Sequence, residues 1–202
     1  MNSPGDVWGM SDDDAVETFY TTERWQNWLD RLAEEELDPE HEDSARLLLN
    51  LQDDAAIAVA KVLAAFDDGT VDEERAVTEV REISDIVLAD VAFDDEDKEM
   101  LIDGVQTSLV PVFYAAEEYV VGGVVDGDVD EFVRAAADAE AEEDLDAALG
   151  YVVQAGTRVV GGERLDIETV EALDYGLVSE WVNGLDSLQS AVEDPEVVEE
   201  ED

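Results

Sequence analysis

The sequence predicts an all-α protein, a compact bundle of about six helices with disordered acidic termini. Apolar residues recur at the 3.6-residue period of an amphipathic helix, and the alternation of a β-strand never persists. The net charge of −47 could indicate a disordered chain. Hydrophobic residues make up 46% of the chain, however, which is more than a disordered protein needs. A chain of this size can bury roughly 70% of the surface that its unfolded form exposes. We therefore expect one domain over residues 17–190, between a mobile acidic lead at 1–16 and a disordered acidic tail at 191–202.

Caps and apolar stripes define the first three helices. Thr21 or Thr22 caps the first helix, whose inward side chains are Trp25, Trp28, Leu29, Leu32 and Leu37. The second helix covers about residues 42–66 and ends at the turn that Gly69 supplies. Thr70 and Glu73 form a capping box for the third helix.

The remaining helices follow from the same signals. The acidic stretch "FDDEDKEM" favours the start of a fourth helix, which Gly122 and Gly123 end and which Pro111 should kink. The stretch "DGDVDE" starts a fifth helix, which continues through an alanine-rich segment. Asp166 is predicted to cap a last long helix that reaches Leu188.

The charge predicts a habitat and excludes two kinds of partner. The chain has 57 acidic and 10 basic residues, and at about 1 M salt the Debye length falls to about 3 Å, which mutes repulsion between neighbouring carboxylates. This composition is typical of a cytoplasmic protein from a salt-accumulating halophile. Nucleic acid is not an expected partner because phosphates need clustered Lys or Arg. No apolar run approaches the roughly 18 residues of a spanning helix, and no signal peptide is recognisable, so no membrane association is expected.

The second helix carries polar side chains through the most apolar part of the chain. They are spaced three, four and seven residues apart and form one stripe: Arg46, Asn50, Asp53, Asp54 and Lys61. The stripe either faces solvent or lines a groove in which scarce cations meet acids. A second candidate lies before Pro111 in the fourth helix, where Asp103, Gln106 and Thr107 are one turn apart. These eight residues are the predicted binding positions.

Metal and catalytic sites find little support in the sequence. The chain has no cysteine and one histidine, so no thiolate zinc site and no cysteine nucleophile can form. The aspartates of "DGDVDE" alternate as in a calcium loop, but Glu131 and Ala137 occupy positions that an EF-hand gives to Gly and Glu. We predict no metal, no cofactor and no catalytic residue.

Aromatic side chains are concentrated in the first and fourth helices. Tyr20, Trp25 and Trp28 crowd the first, and Phe113 and Tyr114 are among those of the fourth. Core packing accounts for most of them, and any that remain exposed would mark a protein–protein contact.

Two stretches carry a resemblance to a known family. "FYTTERWQNWLDRLAEEELDPEHEDSARLLLNLQDDAAIAVAKVLAAF" and "DGVQTSLVPVFYAAEEYVVGG" resemble an archaeal, largely haloarchaeal, family of small acidic proteins of unknown function. The resemblance implies a cytoplasmic archaeal protein and transfers no activity.

The sequence leaves two classes of function open. The first is a non-catalytic protein-interaction or regulatory module, which binds a protein partner or associates with itself. The alternative is a divalent-metal-dependent hydrolase of the nucleotide pyrophosphatase type, suggested by two Glu-x-x-Glu pairs, Glu79 with Glu82 and Glu96 with Glu99. Four or more acids around one cavity would favour the hydrolase, whereas a contiguous exposed apolar patch would favour the module.

Overall fold

The chain folds into helices that share one apolar core. The computed structural model describes residues 18–35 and 42–194, and within these ranges it contains no strand. The described residues form eight helices: α1 Thr22–Glu34, α2 Glu42–Asp67, α3 Glu73–Val87, α4 Glu96–Gly122, α5 Val129–Ala141, α6 Leu145–Val160, α7 Ile167–Glu171 and α8 Leu177–Glu193. The all-α class is confirmed.

The predicted number of about six helices is wrong, because two predicted helices are each divided. The alanine-rich helix breaks between α5 and α6, where Glu143 has a positive φ of 63°, a conformation for which glycine is the usual signal. Asp166 caps the five-residue α7 rather than the last long helix, which begins separately after Gly176. The predicted capping box at Thr70 is also wrong, since the side chain of Asp72 caps α3 by accepting from the N–H of Arg75 at 2.9 Å.

Other helix ends lie where the sequence predicts them. The side chain of Thr21 caps α1, Gly69 forms the left-handed turn after α2 with a φ of 78°, and Gly123 caps the C-terminus of α4. Helix α4 continues across Pro111, which is buried. The predicted lead at 1–16, most of the predicted tail, Leu37 and His41 lie outside the described residues, and α8 includes residues 191–193.

Helix α4 is the centre of the bundle. It packs against α2, α3, α6 and α8, and its side chains Ile102, Leu109 and Val112 are fully buried. Two glycines allow its neighbours to come close. A Cβ on Gly184 of α8 would lie 1.8 Å from the carbonyl oxygen of Ser108, and a Cβ on Gly156 of α6 would lie 2.5 Å from the Cβ of Ala115. Because neither glycine has a side chain, the backbones of α6 and α8 can lie close against α4.

Candidate functional site

A buried carboxylate explains part of the polar stripe on α2. The side chain of Asp54 is 1% exposed and receives donors from α1 and the residues before it. The Tyr20 hydroxyl and the Trp28 Nε1 each donate to Asp54 Oδ2 at 2.9 Å, and the Arg24 guanidinium forms an ion pair with the same carboxylate. Burial raises the pKa of the Tyr20 phenol, and the Asp54 charge raises it further. We call these four residues the Asp54 cluster, and it attaches α1 to α2.

The other end of α1 is attached by a lysine from α4. Lys98 Nζ donates to the carbonyl oxygens of Ala33 and Glu35 at 2.8 and 2.7 Å, which satisfies carbonyls that the end of a helix leaves unpaired. One of the chain's two lysines therefore serves as a helix cap. Together with the Asp54 cluster it holds α1 at both ends.

The remaining stripe residues on α2 are separated by their neighbours. Asp53 is half-buried against α8, where burial raises the pKa of its carboxyl group, Asp186 raises it further and a hydrogen bond with Ser187 lowers it. Arg46 and Asn50 are exposed, and Lys61 is half-buried. The predicted stripe thus divides between α1, α8 and solvent.

The three candidate residues on α4 are also divided. Gln106 Nε2 donates to the carbonyl oxygens of Val87 and Ala89 at 2.8 and 2.9 Å, which closes the C-terminus of α3. Asp103 is exposed and Thr107 is half-buried. A binding role for the eight residues stays a prediction, and the contacts that the structure gives to Asp54 and Gln106 are structural ones.

A cleft between α2, α4 and α8 contains a buried polar chain at its floor. Ser108 Oγ donates to Gln52 Oε1 at 2.7 Å, and Gln52 Nε2 donates to Ser187 Oγ at 2.9 Å. The volume of the cleft is about 300 Å³, and Gly104 and Leu49 are among its lining residues. Because the amide of Gln52 already bonds to Ser108 and Ser187, it is not free to bind a ligand in the cleft.

A larger cavity than this cleft lies between α1 and the connection from α3 to α4. Its volume is about 720 Å³, and its lining includes Trp25, whose buried Nε1 has no hydrogen-bond partner. Five of its sixteen lining residues are aspartates: Asp30, Asp85, Asp90, Asp94 and Asp95. Since 57 of the 202 residues of the chain are acidic, this lining is about as rich in acids as the chain as a whole.

A groove between α4 and α6 has a different character. Its volume is about 390 Å³, and its lining residues are Tyr114, Glu118, Val125, Asp146, Leu149, Gly150, Val153, Gln154 and Thr157. We call it the α4–α6 groove. Tyr114 is 52% exposed at its edge. A Cβ on Gly150 would meet no atom within 4 Å, so the groove is open above that residue.

The lining of the α4–α6 groove includes apolar side chains: Tyr114 is exposed, and Val125, Leu149 and Val153 are half-buried. Nine large hydrophobic side chains of residues 18–35 and 42–194 are exposed, and five of them lie on the C-terminal half of α4, on the turn after it or on α6: Tyr114, Val121, Val124, Leu145 and Tyr151. Val121 follows Tyr114 by seven residues and therefore shares its face of α4. The sequence gives a weak signal for this surface: Tyr114, named above among the aromatics of the fourth helix, and a glycine at position 150 in the middle of a helix.

One glutamate of each predicted Glu-x-x-Glu pair has a structural partner. Glu79 is buried and forms an ion pair with Arg75, and Glu99 Oε1 accepts from the N–H of Phe93 at 2.9 Å. Among residues 18–35 and 42–194, no group of three or more His, Asp or Glu side chains converges in a way that could hold a metal ion. No helix in this part of the chain is long and apolar enough to cross a membrane.

The fold and these surfaces define a small, strongly acidic helical-bundle protein with a partly apolar groove between α4 and α6. The chain belongs to an archaeal family, DUF2150, described as an uncharacterized protein conserved in archaea, whose family model matches residues 18–201. The archaeal family that the sequence resembles is thereby confirmed. No curated protein and no solved structure matches the chain.

Proposed function

We propose that this protein is a non-catalytic interaction or regulatory module of a salt-accumulating archaeal cytoplasm, and that it docks a protein partner in the α4–α6 groove. The observation that carries the proposal is the apolar lining of this groove, where the exposed Tyr114 lies with the half-buried Val125, Leu149 and Val153. Single exposed apolar residues are ordinary on any protein surface. A contiguous group of them marks an interaction site.

The chemistry of a saline cytoplasm supports an apolar docking surface. At molar salt the Debye length is about 3 Å, so charges separated by more than one contact distance contribute little to association. Burial of apolar surface is not screened by ions. A strongly anionic protein in such a medium can therefore bind a partner through a groove of this kind.

The rival function, a metal-dependent hydrolase, would need acids that converge on a metal ion, and no three of the five aspartates around the cavity beside α1 converge in that way. Of the glutamates that the hydrolase would use, Glu79 forms an ion pair with Arg75, and Glu99 accepts a hydrogen bond from the backbone N–H of Phe93. Neither pair faces a cavity described above.

Site-specific photo-crosslinking tests the docking surface. The chain has no cysteine, so one engineered cysteine can be labelled at a chosen position. We would introduce Gly150→Cys in the groove and, as a control, Thr78→Cys on the exposed face of α3. Each variant would be labelled with a benzophenone maleimide and irradiated in an extract of the source cells at about 2 M KCl. We expect a discrete protein adduct from position 150 that is absent from position 78. Identical adducts from both positions, or none from either, would contradict the proposed docking surface.

A further inference from the structure

We infer that the occupant of the α4–α6 groove is an amphipathic helix of another protein, with an apolar ridge flanked by Lys or Arg. This inference rests on the proposed docking function, and it adds the chemistry of the partner.

The charges that line the groove have one sign. Glu118 of α4 and Asp146 of α6 contribute carboxylates, and no lysine or arginine is among the lining residues. The other polar positions include Thr157, whose hydroxyl donates to the carbonyl oxygen of Gln154 at 2.9 Å. A partner that enters the groove therefore meets apolar surface between two anions, and complementary cations on that partner stabilise its binding.

The chain's own cations make a second copy a poor occupant. The chain has ten lysines and arginines, and among the described residues six of these contact acids or carbonyl oxygens of the same chain: Arg24, Arg75, Arg81, Lys98, Arg158 and Arg164. A two-fold dimer formed through the groove would also place the same two carboxylates of each copy close together. Like charges in contact oppose association, so the partner is a different chain.

The shape of the groove suits a helix. The lining of α6 runs from Asp146 to Thr157, which is about 16 Å along the helix axis, or about three turns. Helices that bind in such grooves insert apolar side chains spaced three, four and seven residues apart. The space above Gly150 can receive one of these side chains, because nothing lies within 4 Å of the position of its missing Cβ.

Two synthetic helices test the inference directly. Both would have about 18 residues and the same leucine ridge, but the ridge would be flanked by arginine in one peptide and by glutamate in the other. Binding would be followed by fluorescence anisotropy of the labelled peptides at about 2 M KCl, with the intact protein. We expect the arginine peptide to bind about threefold more tightly than the glutamate peptide, because at this salt concentration only cations in direct contact with Glu118 and Asp146 contribute.

Matched variants separate the groove from the rest of the surface. Gly150→Leu fills the α4–α6 groove, whereas Gly104→Leu places the same side chain in the α2–α4–α8 cleft, where a Cβ also meets open space. Both changes replace a poor helix former with a good one, so both variants should fold. We expect Gly150→Leu to weaken binding of the arginine peptide by roughly tenfold or more and Gly104→Leu to leave it unchanged. Glu118→Gln should reduce the preference for arginine without abolishing binding.

Three other outcomes would contradict the cationic partner, the docking groove or the identity of the occupant. Equal binding of both peptides, abolished by Gly150→Leu, would overturn the cationic partner and leave the docking groove in place. Binding that Gly150→Leu does not weaken, or no binding of either peptide, would overturn both the partner and the groove. A dimer seen by sedimentation velocity and abolished by Gly150→Leu would identify the occupant as a second copy, contrary to the inference.

Discussion

Replacing Gly184 by alanine should force α4 and α8 apart. The added Cβ would lie 1.8 Å from the carbonyl oxygen of Ser108, whereas ordinary van der Waals contact begins at 3.4 Å. Backbone cannot rotate away as the end of a side chain can, so one helix must shift by more than about 1 Å. Overpacking of this kind costs about 1–3 kcal/mol or more, while the better helix propensity of alanine returns at most about 1 kcal/mol. The shift also stretches the hydrogen bond from Ser108 to Gln52.

We therefore expect Gly184→Ala to lower the free energy of unfolding by about 2 kcal/mol. Urea unfolding at fixed molar KCl, followed by far-UV circular dichroism, measures this loss. The same substitution at Gly104 is the control, because its Cβ meets no atom within 4 Å, and it should raise stability by about 0.5–1 kcal/mol. Equal effects of the two substitutions, or a Gly184→Ala variant as stable as the wild type, would refute this account of the α4–α8 contact.

Three further predictions concern the polar groups of α1 and α2. Asp54→Asn removes the charge that Arg24 and Tyr20 contact, and it should cost about 2–3 kcal/mol of unfolding free energy in the same urea assay; a neutral result would show that the Asp54 cluster does not hold α1. The Tyr20 pKa is raised above its ordinary value of 10.0, so its neutral form stabilises the fold fully below about pH 10 and the contribution is lost at higher pH. Tyr20→Phe should thus reduce the decline in stability above pH 10, and an unchanged decline would contradict this. The pKa of Asp53 is raised above 3.8, so its ionised carboxylate destabilises the fold at neutral pH. Asp53→Asn should therefore stabilise the protein at pH 7 but not below pH 3.8. A loss of stability at pH 7 would contradict the raised pKa.

Local signals in the sequence predict most of the fold. Thr21, Gly69 and Gly123 end or begin helices where side-chain capping and left-handed backbone require them, and these positions need no knowledge of tertiary structure. The break between α5 and α6 has a weaker local signal. Glu143 adopts the left-handed conformation without the glycine that usually marks it, and Asp144, whose side chain caps α6 by accepting from the N–H of Ala147, is one of several acids in this stretch.

The candidate site was harder to predict, because adjacent residues on one helix face different neighbours. Asp53 lies against α8 and Asp54 lies against α1, although sequence spacing places both in one stripe. Gln106 is likewise occupied by the end of α3. The α4–α6 groove depends on which helix lies beside α4, and helical periodicity cannot distinguish an exposed Tyr114 from a buried Phe113 before that neighbour is known.

We expect the apolar helical core to hold together a chain of net charge −47 only when dissolved ions screen the repulsion between its carboxylates. Far-UV circular dichroism during dialysis from about 2 M to about 10 mM KCl tests this most directly, since the Debye length rises to about 30 Å at the lower concentration. We expect the helical signal to weaken as salt is removed and to return when KCl is restored. An unchanged helical spectrum in dilute buffer would show that the fold needs no screening and would contradict the account.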